Sequence, residues 1–431
     1  MTLWALMIAA CGGDPAPPPA VGVTADTGPP DLRTFVDLDP EGPFAFHGPA
    51  DHTYFGEGLA VGCDLDRDGV LEWAASAPDH TREASVSPVL LFEDDELLAT
   101  FEPERRKADW FGGWSHLSLA VGDTDGDGYG ELLVPESFNL YGTYIRVVRG
   151  LDPAEDILLM IRPEEQWTPH YVTVQRVDGV DQPVLLSSIA AHRWRFDRFD
   201  LRGVEPGTTL FGGEHTQIAW EEPIDLFEPG EPVIADLDGD GSHELVYGTY
   251  RSSYQAGTTW VCPAELGIDI PGSCDVLAPG LSTGRFHEVG DLDGDGDLDI
   301  VAVASSTAGD DGEVWCLTAE GEVIAHIRGT RGNMFGSHPT YVVDDDGEAW
   351  LILAEFNFYS ATPTQAYRFR VADLRGELTE ADATTVWQTP STGIGRQSAV
   401  YRATPDAPLQ LLLTEPTNGS GVVYKVPWDG E

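Results

Sequence analysis

Short apolar runs recur along the chain at a nearly constant spacing, each preceded by an acidic or turn-rich segment. They cover 72–77, 131–135, 183–187, 244–248, 299–304, 350–354 and 410–414, about 50 to 60 residues apart. A second run follows each, usually across a Gly-containing turn, at 88–92, 144–148, 193–199, 259–262, 313–317, 366–371 and 422–426. A third comes later in six of the units, at 97–101, 157–161, 208–210, 275–277, 323–327 and 385–387. Gly-rich turns, several carrying Phe-Gly (Phe55-Gly56, Phe111-Gly112, Phe335-Gly336), then lead into the strand before the next acidic segment. Short apolar runs bounded by turn residues read as strands, and self-similarity at this period marks a ring or array of repeats. Four short strands in each of seven units predict an all-β, seven-bladed β-propeller with four antiparallel strands per blade. One blade cannot bury both faces of its sheet, so neighbouring blades must make the core between them. The seventh unit lacks its third run, and the segment 43–47 (Pro-Phe-Ala-Phe-His) lies just before the first Phe-Gly pair. That segment is expected to supply the missing outer strand and close the ring.

Four of the acidic segments read Asp-x-Asp-x-Asp-Gly-x-x-Asp/Glu. Their ligand positions are Asp64, Asp66, Asp68, Val70 and Glu72; Asp123, Asp125, Asp127, Tyr129 and Glu131; Asp236, Asp238, Asp240, Ser242 and Glu244; and Asp291, Asp293, Asp295, Asp297 and Asp299. Carboxylates at alternate positions offer hard oxygens, which suit Ca²⁺ with its six to eight ligands at adaptable angles. Glycine at position 6 permits the sharp turn, and position 7 offers its carbonyl. A transition metal would call for His or Cys. An EF-hand needs a bidentate Glu at position 12. Here position 12 is Ala75, Val134, Tyr247 or Ala302, and the closing carboxylate stands at position 9.

Nine-residue acidic loops set between strands resemble those of the FG-GAP, integrin-α-type propeller repeats, called VCBS repeats in bacteria. The resemblance extends over nearly all of residues 35–431. It implies about four Ca²⁺ sites, one in each of the loops just named. The corresponding segments of the other units have decayed. Val177 to Asp181 has lost the alternation, Asp344-Asp345-Asp346-Gly347 keeps part of it, and 403–408 keeps none. No ion is expected in the third and seventh blades, and a weak one at best in the sixth.

The chain opens on an apolar stretch that ends Ile8-Ala9-Ala10-Cys11-Gly12. This tetrad resembles the bacterial lipobox, which implies a signal peptide over 1–11 and a lipid on Cys11. No Lys or Arg precedes the apolar stretch, unlike an ordinary signal. Residues 12–34, rich in Gly and Pro, read as a flexible tether. Gly12 in place of Asp favours the outer membrane by the same resemblance, hence an extracytoplasmic, outer-membrane or cell-surface protein. Cys262 and Cys274 lie 12 apart in a Gly/Pro-rich stretch and suit a disulfide in an oxidising compartment. Cys63 and Cys316 sit within apolar strands and read as buried thiols.

Aspartate plus glutamate total 73 against 24 lysine plus arginine, a net charge of −49. That excess excludes binding of duplex nucleic acid by phosphate neutralisation, and it argues against a protein body lying on anionic lipid. Membrane contact is expected through the lipid anchor alone, and the protein is expected to be a monomer. There is no HExxH and no phosphate-cradling loop. The sequence therefore favours a non-enzymatic propeller that presents a face to an extracellular protein or glycan. Candidate contacts are the aromatic and polar residues Trp114, His116, Trp167, His170, Tyr254, Phe358 and Tyr359, which are placed in loops or before strands. These side chains equally suit packing between blades. Two other readings stay open: a Ca²⁺-dependent polysaccharide-degrading enzyme, whose paired acids leave no mark in sequence, and a structural envelope protein without a discrete ligand.

Overall fold

The computed structural model describes residues 33–48, 54–78, 88–102, 118–138, 142–161, 167–189, 193–211, 222–223, 228–250, 257–264, 274–277, 281, 283–304, 311–355, 363–390, 393–416 and 421–428. All of them fall within the compact unit Arg33–Glu431. Cys11 and the proposed leader and tether lie outside the described residues, apart from Arg33 and Thr34.

Seven sheets follow one another as the seven blades of a propeller. Blade one is the meander Leu59–Cys63, Glu72–Ser76, Val89–Glu93 and Glu96–Phe101. Blade five repeats it with His287–Gly290, Asp299–Ala304, Glu313–Leu317 and Val323–Arg328. Strand Glu72–Ser76 is buried along its length because both of its faces meet neighbouring structure. This is why it reads as a continuous apolar run rather than an alternating one.

The expectation of four antiparallel strands per blade holds in part. Blades two, five and six each gain an outer fifth strand, and each of these pairs parallel to its neighbour. They are Thr209–Phe211 beside Ile157–Ile161, Gly376–Thr379 beside Val323–Arg328, and Thr34–Asp37 beside Thr385–Gln388. The run 208–210, expected as the third strand of its own unit, is thereby corrected: it lies on the edge of blade two. An outer strand leaves a row of unpaired N–H and C=O groups, and a passing extended segment satisfies them. Among the described residues, blade three has three full strands, Trp167–Val177, Val180–Ile189 and Arg193–Arg198, with the short Glu222–Pro223 at its edge.

The segment Ala45–His47 pairs antiparallel with Val422–Pro427 of blade seven, Phe46 standing opposite Val423. Among the described residues the hydrophobic core forms seven clusters, one between each pair of adjacent blades. The cluster at the seam packs Phe55, Trp73, Leu90 and Phe92 of blade one against Tyr401, Leu412 and Val423 of blade seven. Trp73 stacks on Phe92 at 4.2 Å, and truncating such a buried ring costs about 3–5 kcal/mol. Tyr401 donates a 2.7 Å hydrogen bond to the Leu71 carbonyl across the same seam, and the buried Lys425 pairs with Asp94 and Asp95. Phe55 and Phe335 are buried, as structural Phe-Gly partners should be. Gly56 follows at φ +88°, where a Cβ would come within 2.9 Å of Thr414 Cβ, so a larger residue fits neither the turn nor the seam.

Candidate metal centre

Each of the four acidic segments joins the first strand of its blade to the second. The backbone turns in the same way in all four. The amide at position 2 donates to the closing carboxylate: Leu65 to Glu72 at 2.9 Å, Thr124 to Glu131 at 2.6 Å, Leu237 to Glu244 at 2.9 Å and Leu292 to Asp299 at 2.8 Å. The amide at position 5 donates to the position-3 aspartate, as from Asp68 to Asp66 at 3.2 Å and Asp240 to Asp238 at 3.1 Å. The amide at position 7 donates to the position-5 aspartate, as from Val70 to Asp68 at 2.8 Å and Asp297 to Asp295 at 2.9 Å. At positions 3, 5 and 9 one carboxylate oxygen is thus held by the backbone, which orients the other, whereas Asp123 at position 1 of blade two accepts amides on both oxygens, from Gly126 and Gly128.

The result is a set of converging oxygens. Asp64, Asp66 and Glu72 bring carboxylate atoms within 4.8 Å of one another, as do Asp236, Asp238 and Glu244, and Asp291, Asp293 and Asp295. Asp123, Asp125 and Asp127 do the same in blade two. Ca²⁺ with ligands at 2.3–2.6 Å spans oxygens at such separations. The sharpest observation is in blade one. Asp64 and Glu72 are 6% and 0% exposed, yet Asp64 Oδ1 and Glu72 Oε1 have no hydrogen-bond partner. Asp236 Oδ1 of blade four is in the same position. A buried carboxylate oxygen without a partner is costly, and a cation is the group that fits it.

Without a cation the closing carboxylates of the four loops resist ionisation. Burial, reinforced by Asp66 and Asp64, pushes Glu72 up to about 7. Burial also pushes Glu131 up to about 7 and Asp299 up to about 6, with neighbouring aspartates adding to the shift. The sequence pattern did not include Glu93, which ends the third strand of blade one and joins Asp66 and Asp68 in a further group. It stands outside the nine-residue motif, so no local spacing marks it.

The decayed segment of blade six is built differently. Asp344 accepts from Trp350 Nε1 at 2.8 Å and from the amides of Asp346 and Glu348 at 3.1 and 2.9 Å. Its carboxylate is satisfied by protein alone.

Of the candidate ligand-face residues, Trp114, His116, Tyr254, Phe358 and Tyr359 lie outside the described residues. Trp167 and His170 do not precede the first strand of blade three but belong to it, with His170 at a shift of register between Pro169 and Tyr171. Cys262 and Cys274 are joined in a disulfide, while Cys63 and Cys316 are free and buried.

No local sequence motif marks the axial cavity. It encloses about 640 Å³ and is lined by first strands of all seven blades, with Val61, Val172, Glu288, Tyr341 and Ser398 on its wall. Glu231 meets His338 Nδ1 at 3.0 Å there, and burial pushes the neighbouring Glu288 up to about 7.

No family model matches the chain, and no curated protein matches it. Among solved structures it is similar to one described as "Structure of Dos1 propeller", at 10% identity over 88% of this chain and 85% of that one, with a TM-score of 0.47.

Proposed function

We propose that the chain is a non-enzymatic, calcium-stabilised propeller of the FG-GAP or VCBS kind, anchored outside the cytoplasm through lipid on Cys11. In this reading it presents a face to an extracellular protein or glycan, acts as a monomer, and closes its ring with Ala45–His47. The observation that carries the calcium assignment is the pair of buried, unpartnered oxygens Asp64 Oδ1 and Glu72 Oε1 beside Asp66. Bound Ca²⁺ would supply positive charge and satisfy those oxygens, and the loop residues would hold it between the first two strands of the blade. The Cys262–Cys274 disulfide supports an oxidising compartment.

One observation favours a second reading, a polysaccharide-degrading enzyme. Glu288, with its raised pKa, and the Glu231–His338 pair share the axial cavity, and perturbed acids in a cavity are what acid–base catalysis uses. A glycan array run beside a reducing-sugar and unsaturated-product assay separates the readings. Binding without turnover supports the binding face, and turnover supports the enzyme. Neither result would leave a structural envelope protein.

A further inference from the structure

Blade two departs from the other acidic loops in what its carboxylates touch. Asp125 and Asp127, at positions 3 and 5, each give Oδ1 to the backbone, accepting from Asp127 N at 3.1 Å and Tyr129 N at 3.0 Å. Their remaining oxygens, the ones a cation would use, are taken. Arg149 pairs with Asp125 Oδ2, and Arg67 lies 2.9 Å from Asp127 Oδ2. The Arg149 pair is largely shielded, with side chains 11% and 14% exposed. A pair at that depth is much harder for water or salt to displace than a surface one.

Arg67 is part of the loop of blade one. It occupies position 4, where the other three loops have Gly126, Gly239 and Gly294 at φ +83°, +70° and +85°. Arg67 adopts φ +63° in the same place, a conformation that costs a side-chain-bearing residue about 1–2 kcal/mol. What it gains is reach across the blade boundary: its guanidinium meets Asp127 and lies 5.4 Å from the centre of the Tyr129 ring. No corresponding pair to a position-3 or position-5 carboxylate occurs in blades four and five among the described residues. There Arg375 reaches the loop of blade five through the carbonyls of Leu292 and Asp293, leaving the carboxylates alone.

We propose that Arg67 and Arg149 stand in for the cation in blade two, so that the loops of blades one, four and five take Ca²⁺ and that of blade two does not while these arginines are in place. The inference rests on the calcium reading above and adds to it a distinction between four near-identical motifs. It also makes the first two loops neighbours in function, since a residue of one neutralises the other.

The test is Ca²⁺ stoichiometry on the full chain by titration calorimetry and metal analysis, with Ca²⁺ itself as the probe. Asp125→Asn should leave the number of bound ions unchanged, whereas Asp238→Asn should lower it by one. Replacing Arg67 with Gly, as in the sister loops, together with Arg149→Gln should add one ion. Arg67→Gly alone, which introduces the residue the turn prefers, covers the case in which the double variant does not fold, and should give blade two measurable affinity. Loss of one ion in Asp125→Asn, or no gain in either arginine variant, would overturn the proposal while leaving the calcium reading intact. A wild-type chain that binds no ion would overturn both.

Discussion

The amide of Leu65 donates a 2.9 Å hydrogen bond to Glu72 Oε2, and that bond leaves Glu72 Oε1 buried with no partner. It ties the second residue of the loop to the ninth, so the turn and the first residue of the next strand are built as one unit. The same bond recurs in the three sister loops. A geometry that repeatedly gathers carboxylates against mutual repulsion calls for positive charge at its centre. In the reading proposed above, that charge is Ca²⁺ in three blades and arginine in blade two.

Chelation should lower the melting temperature. Extracellular Ca²⁺ modules bind with dissociation constants of about 10⁻⁴–10⁻³ M, which at 1 mM free ion is worth roughly 0.4–1.4 kcal/mol per site. Thermal melts in EDTA, in Ca²⁺ and in Mg²⁺ should rank Ca²⁺ highest, because Mg²⁺ demands tighter octahedral geometry. Equal melting in all three would remove the stabilising role.

The seam between the last and first blades should be sensitive to single groups. Tyr401→Phe strips the hydrogen bond from the Leu71 carbonyl and should cost about 1–3 kcal/mol in denaturant melts. Deleting 43–47 removes the partner of Val422–Pro427 and should lower melting far more than deleting 12–30. Equal effects of the two deletions would mean that Ala45–His47 is not what closes the ring.

Much of this architecture is legible in local sequence, because each strand and each acidic loop is specified within about ten residues. The parallel outer strands are not. Thr34–Asp37 finds its partner in Thr385–Gln388 about 350 residues away, and a four-residue extended segment has no periodicity long enough to announce a pairing. The run 208–210 was legible as a strand, but its neighbour was set by which edge lay open. In the loops, the motif identifies ligand positions yet hides Arg149, which comes from another strand's end. Arg67 was visible as the one non-glycine at position 4, though only the fold shows what it reaches.

The axial cavity predicts a pH effect of definite sign. Glu288 has an ordinary value near 4.5 that burial pushes up to about 7. The folded state therefore holds this proton more tightly than the unfolded chain. The stabilising contribution is full below about pH 4.5 and is lost as pH rises through 7. Glu288→Gln, which stays neutral, should gain up to about 3 kcal/mol over wild type at pH 8 and nothing at pH 4.5. Denaturant melts at the two pH values check this, and a gain independent of pH would contradict it.

Anchoring is tested at Cys11. If the residue carries lipid, Cys11→Ser should remain unprocessed and should no longer partition with detergent-extracted membrane. Unchanged processing and partitioning would remove the lipobox assignment and with it the outer-membrane placement.

The most direct measurement is the number of Ca²⁺ ions bound at millimolar concentration by wild type and by two paired variants. Asp293→Ala with Asp295→Ala removes two converging carboxylates of blade five, and Asp344→Ala with Asp346→Ala alters the decayed segment whose carboxylate the protein already satisfies. The account predicts about three ions in wild type, one fewer in the first pair and no change in the second. A wild-type chain that binds no Ca²⁺, or equal losses from both pairs, would contradict it.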